Sequence, residues 1–490
     1  MSRTALESRR AFAEGTVTAT ELVETCLNTI ERHDAKLNVF LTVADEQARR
    51  QAADLDRRRD AKEPLGPLAG VCVAVKDLIS TRDIRTTCGS RILEKYTPVF
   101  DATVIDRLKQ ADAIVVGKTN LDEFGMGSSN ENSAYGRVAN PWDLDRVTGG
   151  SSGGAAAVVA ADFVPLSLGT DTGGSIRQPA AFCGVVGLKP TYGSVSRYGM
   201  VAYASSLEQI GPMARTAADC RAALDVLAGH DDKDSTCSRT PLKDSSWNQS
   251  LKGLRVGWVE EHWTDGISEG IAAALRSTRE WLEGQGATFV PVSLPHARYG
   301  IAAYYLLASS EASSNLARFD GAHYGLRANV KAEGRSGNGL EQMYSQSREA
   351  GLGPEVKRRI LLGTFALSAG YAEAFYGKAS RVRRAIQQDF LEAFQDVDVI
   401  LGPTTPTEPF RAGEKVDDPL AMYLADVFTV LANLAGLPAI SFPVGFTEHP
   451  LPLGAQLIGR PFEDRALLDI VERFQDDTDW HLRRPSSLNS

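Results

Sequence analysis

Residues 148–192 read TGGSSGGAAAVVAADFVPLSLGTDTGGSIRQPAAFCGVVGLKPTY and contain two glycine clusters that each carry serine. The first cluster, 149–154, precedes an Ala/Val run that predicts a buried helix. The second, 171–177, follows an apolar run at 164–168 that predicts a buried strand. Each cluster therefore lies at the end of a packed element, where a loop is held on a rigid support. One such cluster is usually a Gly/Ser turn, but two clusters around one helix–strand unit favour a functional site.

The second cluster has the layout that acyl transfer requires. Glycine lets a ligand approach the main chain closely. The consecutive backbone N–H groups of Thr172, Gly173 and Gly174 are therefore candidates for an oxyanion hole. Ser175 follows them directly and is the candidate nucleophile.

A serine nucleophile needs a base, and lysine is the better candidate here. None of the seven histidines lies in a glycine-rich or strand-end setting, so the sequence gives poor support to a Ser-His-Asp triad. Lys76 follows the apolar run VCVAV, and burial at a strand end can lower its pKa enough to keep the amine neutral. Taken alone, such a lysine more often extends to solvent. Lys118, after another apolar run, is the competing lysine.

The composition bounds the class of protein. With 490 residues, 43% hydrophobic and 23% charged, the chain suits a globular protein with one large α/β domain or two. A net charge of −9 argues against binding a nucleic-acid backbone unaided. The six cysteines form no C-x-x-C pair, which predicts a reducing, cytoplasmic compartment. There is no signal-peptide pattern and no apolar stretch near the ~20 residues that span a bilayer, so we expect no membrane association.

The order of predicted elements indicates one sheet-based domain. A strand–helix–strand pattern over 254–292 favours a parallel or mixed sheet. The polar stretch 231–250 is the best linker candidate. We therefore predict a single domain over 1–490, with packed N-terminal helices at 1–62, a core at 63–230 and the rest of the sheet with covering helices at 251–490. Other local predictions are an irregular segment at 193–211, a surface segment at 331–339 and one helix over 418–434.

The two clusters and the lysine resemble the signature of the amidase family, whose members cleave amide bonds with a Ser-Ser-Lys triad. The match is carried by Lys76 in VAVKD, Ser151 in GGSSGG and Ser175 in GGSIR. The resemblance implies that Ser175 attacks, that Ser151, on a cis peptide bond with Gly150, passes on the proton, and that Lys76 receives it. It also implies the amidase-signature fold, a large central mixed β-sheet with helices on both faces.

Runs outside the signature resemble the branch of this family formed by the A subunits of bacterial tRNA-dependent amidotransferases. These runs are SSEASSNL at 309–316, EVKRRI at 355–360, LGTFAL at 362–367 and DDPL at 417–420. The resemblance implies a cytoplasmic heterotrimer with B and C subunits. In it this chain hydrolyses glutamine and supplies ammonia, and the B subunit uses ATP and Mg²⁺ to convert misacylated Glu-tRNA(Gln) or Asp-tRNA(Asn). No metal and no cofactor is expected on this chain.

The branch also implies two substrate-binding residues. Free glutamine carries an α-carboxylate and an α-ammonium, so its site needs one cation and one anion, and arginine binds carboxylate as a bidentate fork. The resemblance assigns these roles to Arg359 and Asp426. A helix-surface charge is the competing interpretation of Arg359. Asp426 lies in the apolar stretch YLADVF, where a carboxylate needs a partner.

Two other functions remain open from the sequence. One is a stand-alone amidase that acts on a different small amide. The other is a non-catalytic interaction subunit that keeps the fold, which the joint presence of Lys76, Ser151 and Ser175 disfavours. The acidic composition also disfavours tRNA binding by this chain alone.

Overall fold

The computed structural model describes residues 3–262, 266–329 and 339–486. Residues 331–338 of the predicted surface segment lie outside the described residues. The described strands are β1 Phe40–Val43, β2 Cys72–Lys76, β3 Ile114–Thr119, β4 Leu166–Asp171, β5 Val186–Lys189, β6 Gln209–Ala214, β7 Arg255–Val259, β8 Thr288–Val292, β9 Val399–Pro403, β10 Ala439–Phe446 and β11 Pro452–Gly459. The described helices are α1 Ala5–Ala13, α2 Ala19–Leu37, α3 Asp45–Asp60, α4 Thr103–Gln110, α5 Gly153–Ala160, α6 Arg177–Cys183, α7 Ala217–Leu227, α8 Glu269–Gly284, α9 Gly300–Asn315, α10 Gly339–Gly351, α11 Pro354–Leu367, α12 Lys378–Asp396, α13 Pro419–Leu424, α14 Val430–Ala435 and α15 Asp464–Asp477.

All the described strands belong to one mixed sheet, as predicted. Their order across the sheet is β1-β3-β2-β4-β6-β5-β10-β11-β9-β7-β8. The pairs β2–β3, β2–β4, β7–β8 and β7–β9 are parallel, and the remaining neighbours are antiparallel. The antiparallel pairing of β5 with β10 joins the strands of the N-terminal half to those of the C-terminal half.

Helices cover both faces of the sheet because successive side chains of a strand point to opposite faces. Val73 and Val75 of β2 belong to one apolar cluster with residues of α4, α7, α9 and α15. Cys72 and Ala74 of the same strand belong to a second cluster with residues of α2, α3 and α5. Strands buried on both faces read as continuous apolar runs, which is the pattern that the sequence shows before Lys76.

Two local predictions are wrong. The segment 193–211 is not irregular throughout, because β6 begins at Gln209 and lies between β4 and β5 inside the sheet. Pro212 of β6 pairs with Leu168, although proline is rare in a central strand. The predicted helix over 418–434 is two short helices, α13 and α14, separated at 425–429. The Thr429 hydroxyl in this break donates to the Gly173 carbonyl oxygen at 2.6 Å, so the break is fixed by a tertiary contact.

The sheet brings the two glycine clusters together at one end of its central strands. Strands β2 and β4 are parallel neighbours with Val75 opposite Leu168, so Lys76 and the loop after Asp171 lie at the same end. Helix α5 starts from the first cluster at Gly153, and α6 starts from the second at Arg177. Crevices beyond the carboxyl ends of parallel strands are common binding sites in α/β proteins. Among the described helices, none combines the length and the apolar character that crossing a membrane requires.

Candidate active site

Lys76 is fully buried and bound to the serine loop. It is the last residue of β2 and has 0% of its surface exposed. Its Nζ lies within hydrogen-bonding distance of three hydroxyls, Ser151 Oγ at 2.7 Å, Ser152 Oγ at 2.8 Å and Thr170 Oγ1 at 2.8 Å. The three hydroxyls fix the amine beside Ser151, the residue that the family resemblance implied.

The surroundings of Lys76 favour the neutral amine. Burial lowers the pKa of Lys76 to about 7, and the nearby Asp122 carboxyl opposes this shift. Burial also raises the pKa of Asp122 to about 7. A lysine whose pKa lies near neutrality can accept a proton at physiological pH. The geometry and the electrostatics together make Lys76 a competent base.

Lys118, the competing lysine, lies on the neighbouring strand β3 and does not contact either serine cluster. Its Nζ donates to the Ile79 carbonyl oxygen at 2.7 Å and to Thr86 Oγ1 at 2.6 Å. It also lies 3.3 Å from Asp77 Oδ1 in a buried ion pair. These contacts give Lys118 a structural role.

Ser151 sits on a tightly packed loop. The Gly150–Ser151 peptide bond is cis, as the resemblance implied. The Gly150 N–H donates to Gln178 Oε1 at 2.8 Å. A Cβ at Gly150 would lie 2.0 Å from Asp122 Oδ2, so only glycine fits there. Asp122 is held in turn by the N–H groups of Asn130 and Asn132, at 2.9 and 3.1 Å. The position of Ser151 therefore depends on the segment 122–132 that follows β3 and on Gln178 of α6.

Ser175 lies between β4 and α6, next to the first cluster. Ser175 is nearly fully buried, with 8% of the residue exposed. Its carbonyl oxygen accepts the N–H of Ser152 at 3.1 Å, which ties the two serine loops together. The structure thus brings Lys76, Ser151 and Ser175 into one buried cluster.

The loop before Ser175 differs from the prediction in one respect. The Gly174 N–H is not free, because it donates to Asp171 Oδ1 at 2.9 Å. The N–H groups of Thr172 and Gly173 have no protein acceptor in the part of the chain that the structure describes. Gly174 itself has a φ of +129°, and a Cβ there would lie 2.2 Å from Thr429 Oγ1. Of the three predicted oxyanion donors, Thr172 and Gly173 are available.

A buried ion pair holds this loop. Arg177 and Asp171 have no exposed surface and contact each other at 3.1 Å. The same guanidinium donates to Asn433 Oδ1 at 2.7 Å and to Gln456 Oε1 at 2.9 Å. Burial raises the pKa of Asp171, but Arg177, Lys189 and Asn433 together outweigh it, and the pKa is about 2. Asp171 therefore stays ionised beside Arg177, and the pair fixes the backbone that precedes Ser175.

Arg359 is buried on the inner face of α11, so its interpretation as a surface charge is wrong. Only 2% of the residue is exposed. Its guanidinium donates to Glu355 Oε1 at 2.7 Å, Tyr203 Oη at 2.8 Å and the Gly127 carbonyl oxygen at 2.6 Å. These bonds use three of the five N–H groups of a guanidinium, which leaves two for a ligand carboxylate. The rings of Tyr203, Tyr305 and Tyr423 surround the cation at 5.0 to 5.7 Å.

Asp426 lies in the break between α13 and α14. Burial raises its pKa to about 8, and 6% of the residue is exposed. Gln178 Nε2 donates to its Oδ1 at a long 3.4 Å and to the Ser128 carbonyl oxygen at 2.9 Å. Ser128 follows Gly127, whose carbonyl binds Arg359, so one loop links the two predicted substrate residues. A carboxyl with so weak a partner is suited to receive a cationic group.

A cavity of about 150 Å³ opens beside Arg359. Glu355 and Tyr423, which both contact the Arg359 side chain, lie in its wall, as does Gly127. Arg358, Lys415 and Glu131 add charges of both signs. The cavity is therefore lined by residues that hold Arg359, whereas Arg359 and Asp426 themselves are not in its wall. Among the described residues, no group of three or more His, Cys, Asp or Glu is arranged to hold a metal ion.

Several residues of the site were missed from the sequence. Ser152 and Thr170 bind Lys76, Gln178 contacts both Gly150 and Asp426, and Glu355 orients Arg359. Gln178 had a detectable signal, because it is a polar residue close after the GGSIR motif. Glu355 lies one helical turn before Arg359, a spacing at which a pair with arginine is expected.

Comparisons with known proteins show the family of this chain. The model of the family described as Amidase matches residues 21–468. The chain is 51% identical over 485 residues to the A subunit of the glutamyl-tRNA(Gln) amidotransferase of Coxiella burnetii, with 99% of each chain covered. The corresponding A subunit of Carboxydothermus hydrogenoformans is 53% identical, with 96% of each chain covered. The crystal structure of the glutamyl-tRNA(Gln) amidotransferase A subunit from Thermotoga maritima is 42% identical with a TM-score of 0.78, over 94% of this chain and 92% of that chain. These matches confirm the resemblance: the chain belongs to the amidase family.

Proposed function

We propose that this chain is the glutaminase subunit of a tRNA-dependent amidotransferase. The observation that carries the proposal is the buried Lys76 Nζ, which lies 2.7 Å from Ser151 Oγ in the same cluster as Ser175. The high identity to proteins named as amidotransferase A subunits supports it over the full chain. The selection of glutamine rests on Arg359 and Asp426.

The proposed chemistry begins with attack of Ser175 Oγ on the side-chain amide carbon of glutamine. The proton of Ser175 passes to Ser151 and from Ser151 to the neutral Lys76. The N–H groups of Thr172 and Gly173 stabilise the oxyanion. Lys76 returns the proton through Ser151 to the amide nitrogen, and ammonia leaves. Water then hydrolyses the γ-glutamyl ester of Ser175 and releases glutamate.

Substrate selection follows from a guanidinium and a carboxyl group that the fold holds in place. The two remaining N–H groups of Arg359 bind the α-carboxylate, and Asp426 binds the α-ammonium. Glu355 holds Arg359 in the orientation that leaves those two N–H groups free. An apolar amide makes neither contact, which favours glutamine over such substrates.

The ammonia is proposed to serve a partner. By analogy with the proteins named as A subunits, the chain assembles with B and C subunits in the cytoplasm. The B subunit receives the ammonia, binds misacylated tRNA and uses ATP and Mg²⁺. This chain binds no cofactor in the proposed reaction.

Glutamate release from glutamine tests the proposal. The purified chain is assayed alone and with B and C subunits, ATP and misacylated tRNA, with Ser175→Ala as the blank. We expect partner-stimulated release that the blank lacks. Rapid hydrolysis of other amides by the chain alone, without a partner effect, would identify an independent amidase. No turnover in any mixture would identify a non-catalytic subunit.

A further inference from the structure

The second half of helix α11 places mostly apolar residues outward. The buried face of the helix contains Glu355, Val356, Arg359, Gly363 and Ala366. The exposed positions of residues 361–367 carry three leucines, one phenylalanine and Thr364, with Leu361 70% exposed and Phe365 49% exposed. A helix at the surface of a globular protein normally places polar residues outward, and a helix that is apolar all round is normally buried. The outer face of α11 is therefore incomplete without a covering surface.

The exposed apolar residues form one continuous area. The Phe365 ring lies 4.9 Å from Tyr371 and 5.6 Å from Phe375, measured between ring centroids. We name as the α11 apolar face the exposed residues Leu361, Leu362, Phe365, Leu367 and Tyr371. Contiguous exposed apolar areas of this kind mark interaction sites more often than single exposed residues do.

Positive charge borders this face. Between residues 354 and 384 the exposed charged side chains are Arg358, Glu373, Lys378, Arg381 and Arg384. Four of these five are cations, although the whole chain has a net charge of −9. Glu373 lies 3.7 Å from Arg381 and offsets only part of this charge. The complementary surface is therefore both apolar and acidic.

We propose that the α11 apolar face is the docking surface for a partner subunit whose contacting surface is apolar and acidic. The proposal rests on the proposed function as one subunit of a larger enzyme. A second copy of this chain fits less well, because a symmetric contact places the same patch on both sides and sets cations against cations. The face lies on the helix whose inner side carries Arg359, so the partner would contact the element that holds the substrate residue.

Binding measurements with the B–C subcomplex test this surface. The dissociation constant is measured at two salt concentrations for the wild type and for a Leu361→Asp, Phe365→Asp double variant. We expect the double variant to bind about 100-fold more weakly, because buried aromatic and aliphatic anchors dominate interfaces. A Lys378→Glu, Arg381→Glu variant is expected to bind about 10-fold more weakly and with less salt dependence.

Two matched controls distinguish the site from general effects of new charge. Val99 and Leu482 are 82% and 60% exposed and lie outside this face. Val99→Asp and Leu482→Asp are expected to bind the subcomplex as the wild type does. Thermal unfolding of every variant checks that the fold is kept.

Three other outcomes overturn the proposal, and a fourth contradicts only the proposed function. Equal binding by the Leu361/Phe365 double variant and the wild type places the interface elsewhere. Self-association of the wild type in sedimentation, lost in the double variant while B–C binding persists, assigns the face to a second copy. Loss of tRNA binding alone in the Lys378/Arg381 variant assigns the cations to nucleic acid. Failure of glutamine hydrolysis, with B–C binding still lost in the double variant, would instead contradict the proposed function and leave the docking surface in place.

Discussion

The two sides of the candidate active site are built differently. Lys76, Ser151 and Ser175 lie at the ends of central strands and helices, and the two serines share one contiguous motif. Arg359 and Asp426 come from α11 and from the break after α13, far along the chain. The catalytic side is fixed by backbone geometry and buried hydroxyls, whereas the substrate side is fixed by side chains from distant elements. The difference predicts that the bond-cleaving chemistry and the choice of substrate can be separated by substitution.

Loss of the nucleophile should produce the largest effect. Ser175→Ala removes the atom that forms the acyl intermediate, so we expect the kcat for glutamine to fall by at least about 10⁴-fold. Because Arg359 and Asp426 are intact, glutamine binding measured by calorimetry should stay within about threefold of the wild type. A large loss of binding would show that the two sides are not separable.

The two buried lysines provide a matched pair. Lys76→Met removes the base and is expected to lower kcat about 10³-fold. Lys118→Met breaks the buried pair with Asp77 and is expected to lower the free energy of unfolding by about 3 kcal/mol, with kcat within about tenfold of the wild type. Steady-state kinetics and denaturant unfolding measure both. An equal loss of kcat in the two variants would contradict the assignment of Lys76.

The lowered pKa of Lys76 predicts that the activity depends on pH. Burial lowers the pKa of Lys76 to about 7, so the neutral form accumulates as the pH rises through that value. The wild-type kcat/KM should therefore rise with pH around pH 7, with a contribution from Asp122, whose pKa burial raises to about 7. A profile that is flat from pH 6 to pH 8 would indicate another base.

Arg359 tests the substrate side. Arg359→Met removes the two N–H groups available to the α-carboxylate, and we expect the KM for glutamine to rise about 100-fold while kcat falls less. The control substrate is a small amide without an α-carboxylate, for which kcat/KM should change little. Equal losses for both substrates would show that Arg359 supports the fold of the site and does not select glutamine.

Substitution of Asp426 should have the smallest effect on activity. It should also stabilise the fold, whereas Lys118→Met should destabilise it. Asp426→Asn is expected to raise the KM for glutamine about tenfold through loss of the ammonium partner. Its folded pKa is about 8, above that of the unfolded chain, so this carboxyl lowers the stability as the pH rises from about 4 to about 8. At pH 8 the variant should therefore unfold at a higher denaturant concentration than the wild type. A less stable variant would contradict this account of the buried carboxyl.

The sequence predicted the surroundings of Lys76, Ser151 and Ser175 better than those of Arg359 and Asp426, for a physical reason. The GGSSGG and GGSIR motifs are contiguous, and their meaning follows from the backbone requirements of glycine. The local sequence does not distinguish Arg359 from Arg358, although Arg359 is buried and Arg358 is exposed on the same helix. The break that contains Asp426 has a helical pattern in the sequence. The Thr429 contact that fixes the break involves a loop about 250 residues earlier, so no local pattern reveals it. The hydrogen bond of the Gly174 N–H likewise depends on the orientation of the Asp171 side chain, which the sequence does not specify.

The central claim is that Ser175 carries the acyl intermediate, and trapping it tests that claim most directly. The chain is mixed with glutamine and its B and C subunits, quenched in acid and digested for mass spectrometry. The account predicts a γ-glutamyl ester on Ser175 that is absent in Ser175→Ala. An adduct on Ser151, or continued glutamate release by Ser175→Ala, would contradict it.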